Sequence, residues 1–300
     1  MHLILPCDKI TINYNQTGDV VLNGKVFKYS GAYYGNIDLY IGDELVGSDI
    51  PVSSDGSWTY TLSSTRIMPN TNSYSVKVDY KGSDYSTPDI MVFDDKYSVG
   101  KGIIVPSINP TGDIDIGDTE YVEVSIINAM GTGNIPGITV SLSGTGISGS
   151  LVNVSDSNGM VLFTVPNLPG GKYDDWKVSV TGNDYYNGRV MNVKSFYVQS
   201  PLNVIITDIS PNNSTYPDII TVTGYTDGDQ GIPQGNVTLT LGGMNYTGFF
   251  DTNGNFTASL IGVKPGIYNN IIAKYNPTVD EYYRGVESTV SIPETRNVKC

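Results

Sequence analysis

Short runs in which apolar and polar residues alternate with a period of two recur along the whole chain, each bounded by Gly, Pro, Asn or Asp. In the run NSYSVKVDY, Tyr74, Val76 and Val78 share one parity while Ser75, Lys77 and Asp79 share the other. That is the pattern of a strand dry on one side and wet on the other. Ile37, Leu39 and Ile41 repeat it, as do Trp176, Val178 and Val180. Nowhere do apolar residues recur at i, i+3, i+4 and i+7 over about 12 residues, the spacing an amphipathic helix needs. The pattern predicts strands over residues 9–14, 19–28, 36–41, 45–52, 57–62, 73–80 and 89–93 in the first third. It predicts 121–127, 138–142, 151–154, 161–165, 177–180 and 190–198 in the second, and 219–225, 236–241, 255–260, 270–275 and 286–292 in the last. The expectation is an all-β chain.

Three sets of anchors repeat. A turn motif stands at Asp55-Gly56-Ser57-Trp58, Asn158-Gly159-Met160-Val161 and Asn253-Gly254-Asn255-Phe256; an acidic residue precedes Tyr85, Tyr185 and Tyr282; an upstream glycine stands at 35, 137 and 235. Each recurs after about one hundred residues, too long a period for a solenoid unit and the size of one β-sandwich. The chain is therefore expected to fold as three tandem immunoglobulin-like β-sandwich domains of Greek-key type, over residues 1–97, 98–200 and 201–300. The joins KYSV and VQSP are short and lack Gly/Ser flexibility, so limited hinge motion is expected. Tyr74, Tyr173 and Tyr268 stand where the strand before the last begins, the place of the structural tyrosine corner whose phenol bonds back to the upstream loop.

Composition narrows the function classes. The 34 Gly and 22 Tyr favour strands and turns, and a formal charge of −13 with only 17 unclustered basic residues opposes nucleic acid. No stretch approaches 18 apolar residues, so direct membrane insertion is not expected, and the MHLILP start lacks the basic region of a signal peptide. Cys7 and Cys300, one near each end, are too far apart in a three-domain rod to pair with each other; they are read as free thiols, or as an intermolecular disulfide between chains.

The sequence resembles the tandem immunoglobulin-like repeats of bacterial and archaeal surface proteins, most of all the adhesin-like proteins of methanogenic archaea. The residues that carry the resemblance are Gly35-Asn36-Ile37-Asp38-Leu39 with Gly235-Asn236-Val237-Thr238-Leu239, the Asp/Asn-Gly-x-Phe/Trp turn, and the Tyr80 to Tyr85 segment. The resemblance covers nearly the whole chain, and it implies a fold and a cell-surface setting rather than an activity.

Candidate chemistry is sparse. With His2 the only histidine, Ser-His and Cys-His catalysis lack their base, and no nucleophile-elbow, phosphate-loop or zinc motif occurs; the chain is read as no enzyme and as needing no cofactor. Asp113, Asp115 and Asp118, and the Asp227-Gly228-Asp229 loop, offer oxygen donors for calcium, although Asp and Gly are also ordinary turn residues. Lys9, Lys101 and Asn192 are the residues an isopeptide crosslink would draw on. Tyr185, Tyr186, Tyr282 and Tyr283 are read either as packing of the repeat or as a sugar-binding platform; Tyr33 and Tyr34, found in one repeat only, make the better recognition candidates. Glycosylation acceptors occur at Asn15, Asn153, Asn212, Asn213, Asn236, Asn245 and Asn255.

These observations predict a non-enzymatic, rod-like adhesin or structural protein, extracellular or at the cell surface, whose partners are other surface proteins, glycans or further copies of itself. The alternatives are a virion tail or decoration protein of a tailed archaeal virus and an accessory carbohydrate-binding module.

Overall fold

The computed structural model describes residues 2–5, 8–27, 34–84, 86–129, 133–211, 213–228, 231–278 and 282–299. Every regular element among them is a strand and none is a helix, so the fold is all-β. Buried apolar side chains collect in three clusters, drawn from residues 12–99, 104–198 and 202–298. Each is lined from two sides. In the first, Leu22, Val26, Trp58 and Leu62 of one sheet meet Ile37, Leu39, Val76 and Val78 of another. Full burial of one such side chain contributes about 1.5–3 kcal/mol, which is why alternation along these strands selects the sandwich.

The first cluster lies between a five-stranded sheet, ordered Ile10–Asn13, Asp89–Gly100, Tyr74–Tyr80, Asn36–Ile41, Glu44–Pro51, and a three-stranded sheet of His2–Ile4, Val20–Phe27 and Ser57–Leu62. The second lies between Met160–Pro166, Thr119–Asn128, Gly102–Pro110 and Tyr186–Asn187 on one side, and Leu151–Val154, Thr139–Ser143, Lys177–Val180 and Arg189–Asn192 on the other. Around the third, Met244–Phe250 pairs with both Gly235–Leu241 and Asn255–Ile261, which joins the two walls into one eight-stranded sheet folded over its own core.

Equivalent positions trade volume. Gly24 is paired with Trp58, Val124 with Val161 and Gly224 with Phe256. A Cβ on Gly24 would stand 2.3 Å from the Trp58 ring, and one on Gly224 would stand 2.6 Å from that of Phe256. The large ring on one strand thus occupies the space its partner leaves empty, and the middle pair splits the same space evenly.

Several expected strands match: Asn36–Ile41, Ser57–Leu62, Leu151–Val154 and Lys177–Val180 have the bounds the alternation predicts. Two endings differ. The strand expected at 89–93 continues to Gly100, because a register shift between Tyr74 and Val76 loops out the polar Asp94-Asp95-Lys96 run and lets pairing resume at Tyr97; Asp95 takes φ 52 there. The strand expected at 190–198 divides into Arg189–Asn192, which pairs with Lys177–Val180, and Phe196–Leu202, which belongs to a different sheet. Both joins expected from sequence therefore lie within strands: Tyr97 and Val99 are fully buried in the first cluster, and Phe196–Leu202 runs from the second cluster into the third.

The candidate interdomain joints

The same backbone device closes each core at its far end. A short strand pairs in parallel with the end of the last strand: Ile10–Asn13 with Tyr97 to Gly100, Ile114–Asp115 with Val198 and Gln199, and Asn213–Thr215 with Asn297 to Lys299. The next residue donates its amide to the final carbonyl of that ladder, Tyr14 to Gly100 at 2.8 Å, Ile116 to Gln199 at 3.0 Å and Tyr216 to Lys299 at 2.9 Å. The chain then turns, with Gln16 N on Asn13 O, Asp118 N on Asp115 O and Asp218 N on Thr215 O. Tyr14, Ile116 and Tyr216 thus occupy one equivalent tip.

The tips of the first two closures meet the double-tyrosine loops of the following segments. At the first, the Tyr14 ring lies 5.0 Å from Tyr185 and 5.7 Å, edge-on, from Tyr186. Asn15, at φ 56, donates from Nδ2 to the Tyr186 hydroxyl at 2.9 Å, and its carbonyl accepts from Asn128 Nδ2. Gly102 donates to Tyr185 O at 2.8 Å, starting a parallel pairing of Gly102 and Ile103 with Tyr186 and Asn187. Lys101, the one residue outside a strand here, donates to Asn183 O at 2.6 Å. A Cβ on Gly102 would stand 2.7 Å from Tyr186 Cδ1 and 2.8 Å from Tyr14 O, so the approach requires glycine. Burial, then the neighbouring Tyr186 and Tyr185, raises the Tyr14 phenol above its ordinary pKa.

At the second closure the backbone frame is kept and the side chains differ. Ser200 donates to Tyr282 O at 2.8 Å, and Ser200 to Leu202 pair in parallel with Tyr283–Gly285. Arg284 reaches back to Asp115 with a bidentate fork, Nε to Oδ1 at 2.5 Å and NH2 to Oδ2 at 2.6 Å. The hydrogen bond from Arg284 is the main cause that lowers the Asp115 carboxyl below its usual range. Ile116 and Tyr282 both approach Gly170, where a Cβ would stand 3.0 Å from Ile116 Cδ1 and 3.5 Å from Tyr282 Cδ1.

The double tyrosines are therefore parts of joints. Tyr186, 8% exposed, belongs to the second cluster, and Tyr283 to the third; Tyr185 and Tyr282 keep outer edges in solvent. Tyr34 is exposed, and its carbonyl accepts from the Tyr80 hydroxyl; Tyr33 lies outside the described residues, as do Cys7, Cys300, Asn212 and Asp229. Of the tyrosines at the entry to the strand before the last, Tyr173 donates to Pro169 O and Tyr268 to Lys264 O, both at 2.7 Å, and Tyr74 to Met68 O at 3.0 Å.

The carboxylates considered for calcium do not converge. Asp115 is engaged by Arg284, Asp113 accepts from Tyr197 N at 2.9 Å, and Asp118 contributes a turn amide to Asp115 O. Asp227 accepts from both Asn203 N and Asn203 Nδ2. Among the described residues no group of three or more His, Cys, Asp or Glu side chains is gathered for a metal. Lys9 and Asn192 are exposed, and Lys101 is engaged at the first joint. Of the glycosylation acceptors, Asn153, Asn213, Asn245 and Asn255 are exposed. Asn236 is half-buried and its Oδ1 accepts from Asn276 Nδ2, while Asn15 spends the very nitrogen a glycan would take on Tyr186.

Sequence reasoning missed Tyr14, Asn15 and Arg284, the residues that reach across the joints. The signal present was the difference between repeats: Ser86 occupies the place of Tyr186 and Tyr283, so the second tyrosine is not a constant of the repeat.

No family model matches the sequence, and no curated protein is similar to it. Among solved structures the chain is similar to part of a 1.5-MDa bacterial ice-binding adhesin (18% identity, TM-score 0.32), with 96% of this chain and 94% of that one covered. It is also similar to domains A168–A170 of titin (11%, TM-score 0.44; 95% and 97% covered). A third likeness is to three N-terminal domains of the outer capsid protein Hoc of bacteriophage RB49 (13%, TM-score 0.36; 94% of each covered).

Proposed function

We propose that the chain is a non-enzymatic string of three immunoglobulin-like modules, divided at Lys101 and between Gln199 and Ser200, whose work is to carry an attachment surface away from a cell. The observation that supports this reading most is the use of the repeated motif. Its backbone hydrogen bonds, 2.8 Å from Gly102 to Tyr185 and 2.8 Å from Ser200 to Tyr282, tie each module to the segment that joins it to the one before, and its rings and Arg284 fasten it to that earlier module. Conserving the motif for fastening makes sense in a molecule that must keep its length under load. A surface poor in clustered charge and rich in hydroxyls, amides and tyrosine suits contact with other surface proteins or glycans, with Tyr34 among the exposed aromatics outside the joints.

Antibody labelling of intact, unpermeabilised source cells tests the setting: labelling is expected at the surface, and signal only after lysis overturns it. Labelling of released particles in place of cells would transfer the modules to a virion. Single-molecule pulling tests the architecture, with three separate unfolding events expected and a single event excluding it.

A further inference from the structure

The loop before the upstream glycine closes over the sheet in the second module and stands off it in the third. Counted back from Gly137 and Gly235, Ile135 and Pro233 are equivalent, as are Asn134 and Ile232. In the second module Ile135 donates its amide to Ile126 O at 2.9 Å, Asn134 bridges to Ile127, and Ile135 is 5% exposed. A Cβ on the turn residue Gly159 would stand 2.7 Å from Asn134 Cβ, so the space between loop and turn is filled. Proline has no amide to donate, and Pro233 cannot make the bond that Ile135 makes. Ile232 is 54% exposed, and the nearest atom to a Cβ on Gly254, the equivalent turn glycine, is Pro233 Cδ at 3.9 Å. A cleft of about 390 Å³ opens there, lined by Tyr225, Thr226, Ile232, Asn253 and Asn255 among others. That size lies toward the small end of ligand sites, about 300–1,000 Å³. We propose that this cleft binds an uncharged sugar, the end of a neutral glycan on an opposing surface.

The lining selects that chemistry. Among the described residues around the cleft no side chain is charged, in a chain that carries 30 Asp and Glu. The carboxylates of Asp251 and Asp227, close by in the chain, are spent on backbone. Asp251 Oδ1 accepts from Asn253 N at 2.8 Å and Asn255 N at 2.9 Å, and Asp227 Oδ1 accepts from Asn203 N at 2.9 Å. An ionised ligand would give up water there and meet no counter-charge. A sugar hydroxyl both donates and accepts, as the Asn253 amide and the Thr226 hydroxyl do. The phenol ring of Tyr225 presents a negative face that suits the C–H face of a pyranose, and Ile232 adds apolar surface. Tyr225 is set in place by the sheet, paired with Ile205 on one side and Asn255 on the other. The fold does not require a ring at that position, since Lys25 and Ser125 stand there in the first two modules.

The cleft rests on the attachment reading above, and the two fail separately: surface labelling decides where the chain works, and titration of the purified chain decides what the cleft takes. The full chain is made without glycosylation, so that the acceptor Asn255 is bare, and with labelled isoleucine methyls. It is titrated with glucose, galactose, mannose and N-acetylglucosamine, and in parallel with glucuronic acid and N-acetylneuraminic acid. At least one neutral sugar should shift the Ile232 methyl signals saturably, with a dissociation constant in the millimolar range, while Ile135 stays fixed. Neither acid should do so. Tyr225→Ala should weaken that binding about tenfold and leave Ile271, in the core of the third module, unmoved. Asn253→Ala should also weaken it, and decides the matter if Tyr225→Ala disturbs Ile271. The proposal is overturned if no neutral sugar moves Ile232, if the acids move it equally, or if the deciding variant binds as the unaltered chain does.

Discussion

The two joints share a backbone and little else. In both, an amide of the joining segment, Gly102 or Ser200, donates at 2.8 Å to the carbonyl before the inner tyrosine, and a short parallel ladder follows. The first then breaks strand pairing at Lys101 and fills the gap with three tyrosine rings and an asparagine. The second runs one unbroken strand, Phe196–Leu202, through the join and adds an exposed ion pair. Aromatic packing is insensitive to salt, whereas an exposed ion pair is screened over about 8–10 Å at physiological ionic strength. The first joint should therefore hold under conditions that loosen the second.

Tyr186→Ala should have the largest effect, because it empties a core position and removes the ring under Tyr14; a loss of about 3–5 kcal/mol is expected for the transition of the second module in chemical denaturation. Gly102→Ala should come next, at about 1–3 kcal/mol from overpacking against Tyr186 and the Tyr14 carbonyl, read in the same experiment. Arg284→Ala should cost about 0–1 kcal/mol and abolish the salt dependence of interdomain order, which residual dipolar couplings would measure at low and high salt. If Arg284→Ala proved more damaging than Tyr186→Ala, the assignment of strength between the joints would be reversed.

Acid should divide the second joint from the module beside it. Asp115 has a carboxyl lowered by its bond to Arg284, so its contribution is present above the ordinary carboxylate pKa near 3.8 and is lost as pH falls through its lower folded value. Glu120 has the opposite sign. It is fully buried, Oε1 accepts from Thr111 N at 2.8 Å, and Oε2 meets no partner. Burial raises its carboxyl above 4.5, so ionisation weakens the second module as pH rises from 4.5 through the raised folded value. Lowering the pH across the carboxylate range should first stabilise the core of the second module and then loosen its link to the third. Glu120→Gln should remove the first effect in a series of melting curves and leave the second.

Much of the fold was legible because burial in a sandwich writes itself into every second residue: Val76 and Val78, or Val178 and Val180, need no partner identified to be placed inward. The joints were less legible. Asp94-Asp95-Lys96 has the composition of a turn, and only the offset between Tyr74 and Val76 on the facing strand shows that it is a bulge within one. Tyr14 and Asn15 follow a regular strand and carry no periodic signal, because what they pack against lies 171 residues away along the chain. Asp115 offered the right atoms for a cation, but its guanidinium partner is equally remote in sequence.

The pairs Gly24 with Trp58, Val124 with Val161 and Gly224 with Phe256 bear on how such a gene can change. A crossover between the middle repeat and either neighbour, after the early strand but before the turn glycine, would set valine against tryptophan or phenylalanine, or glycine against valine, leaving a collision or a hole. Crossovers at the joints would keep every pair intact. Exchange of whole repeats therefore preserves the balance of volume across each core, while exchange within them preserves it only between the first and the third.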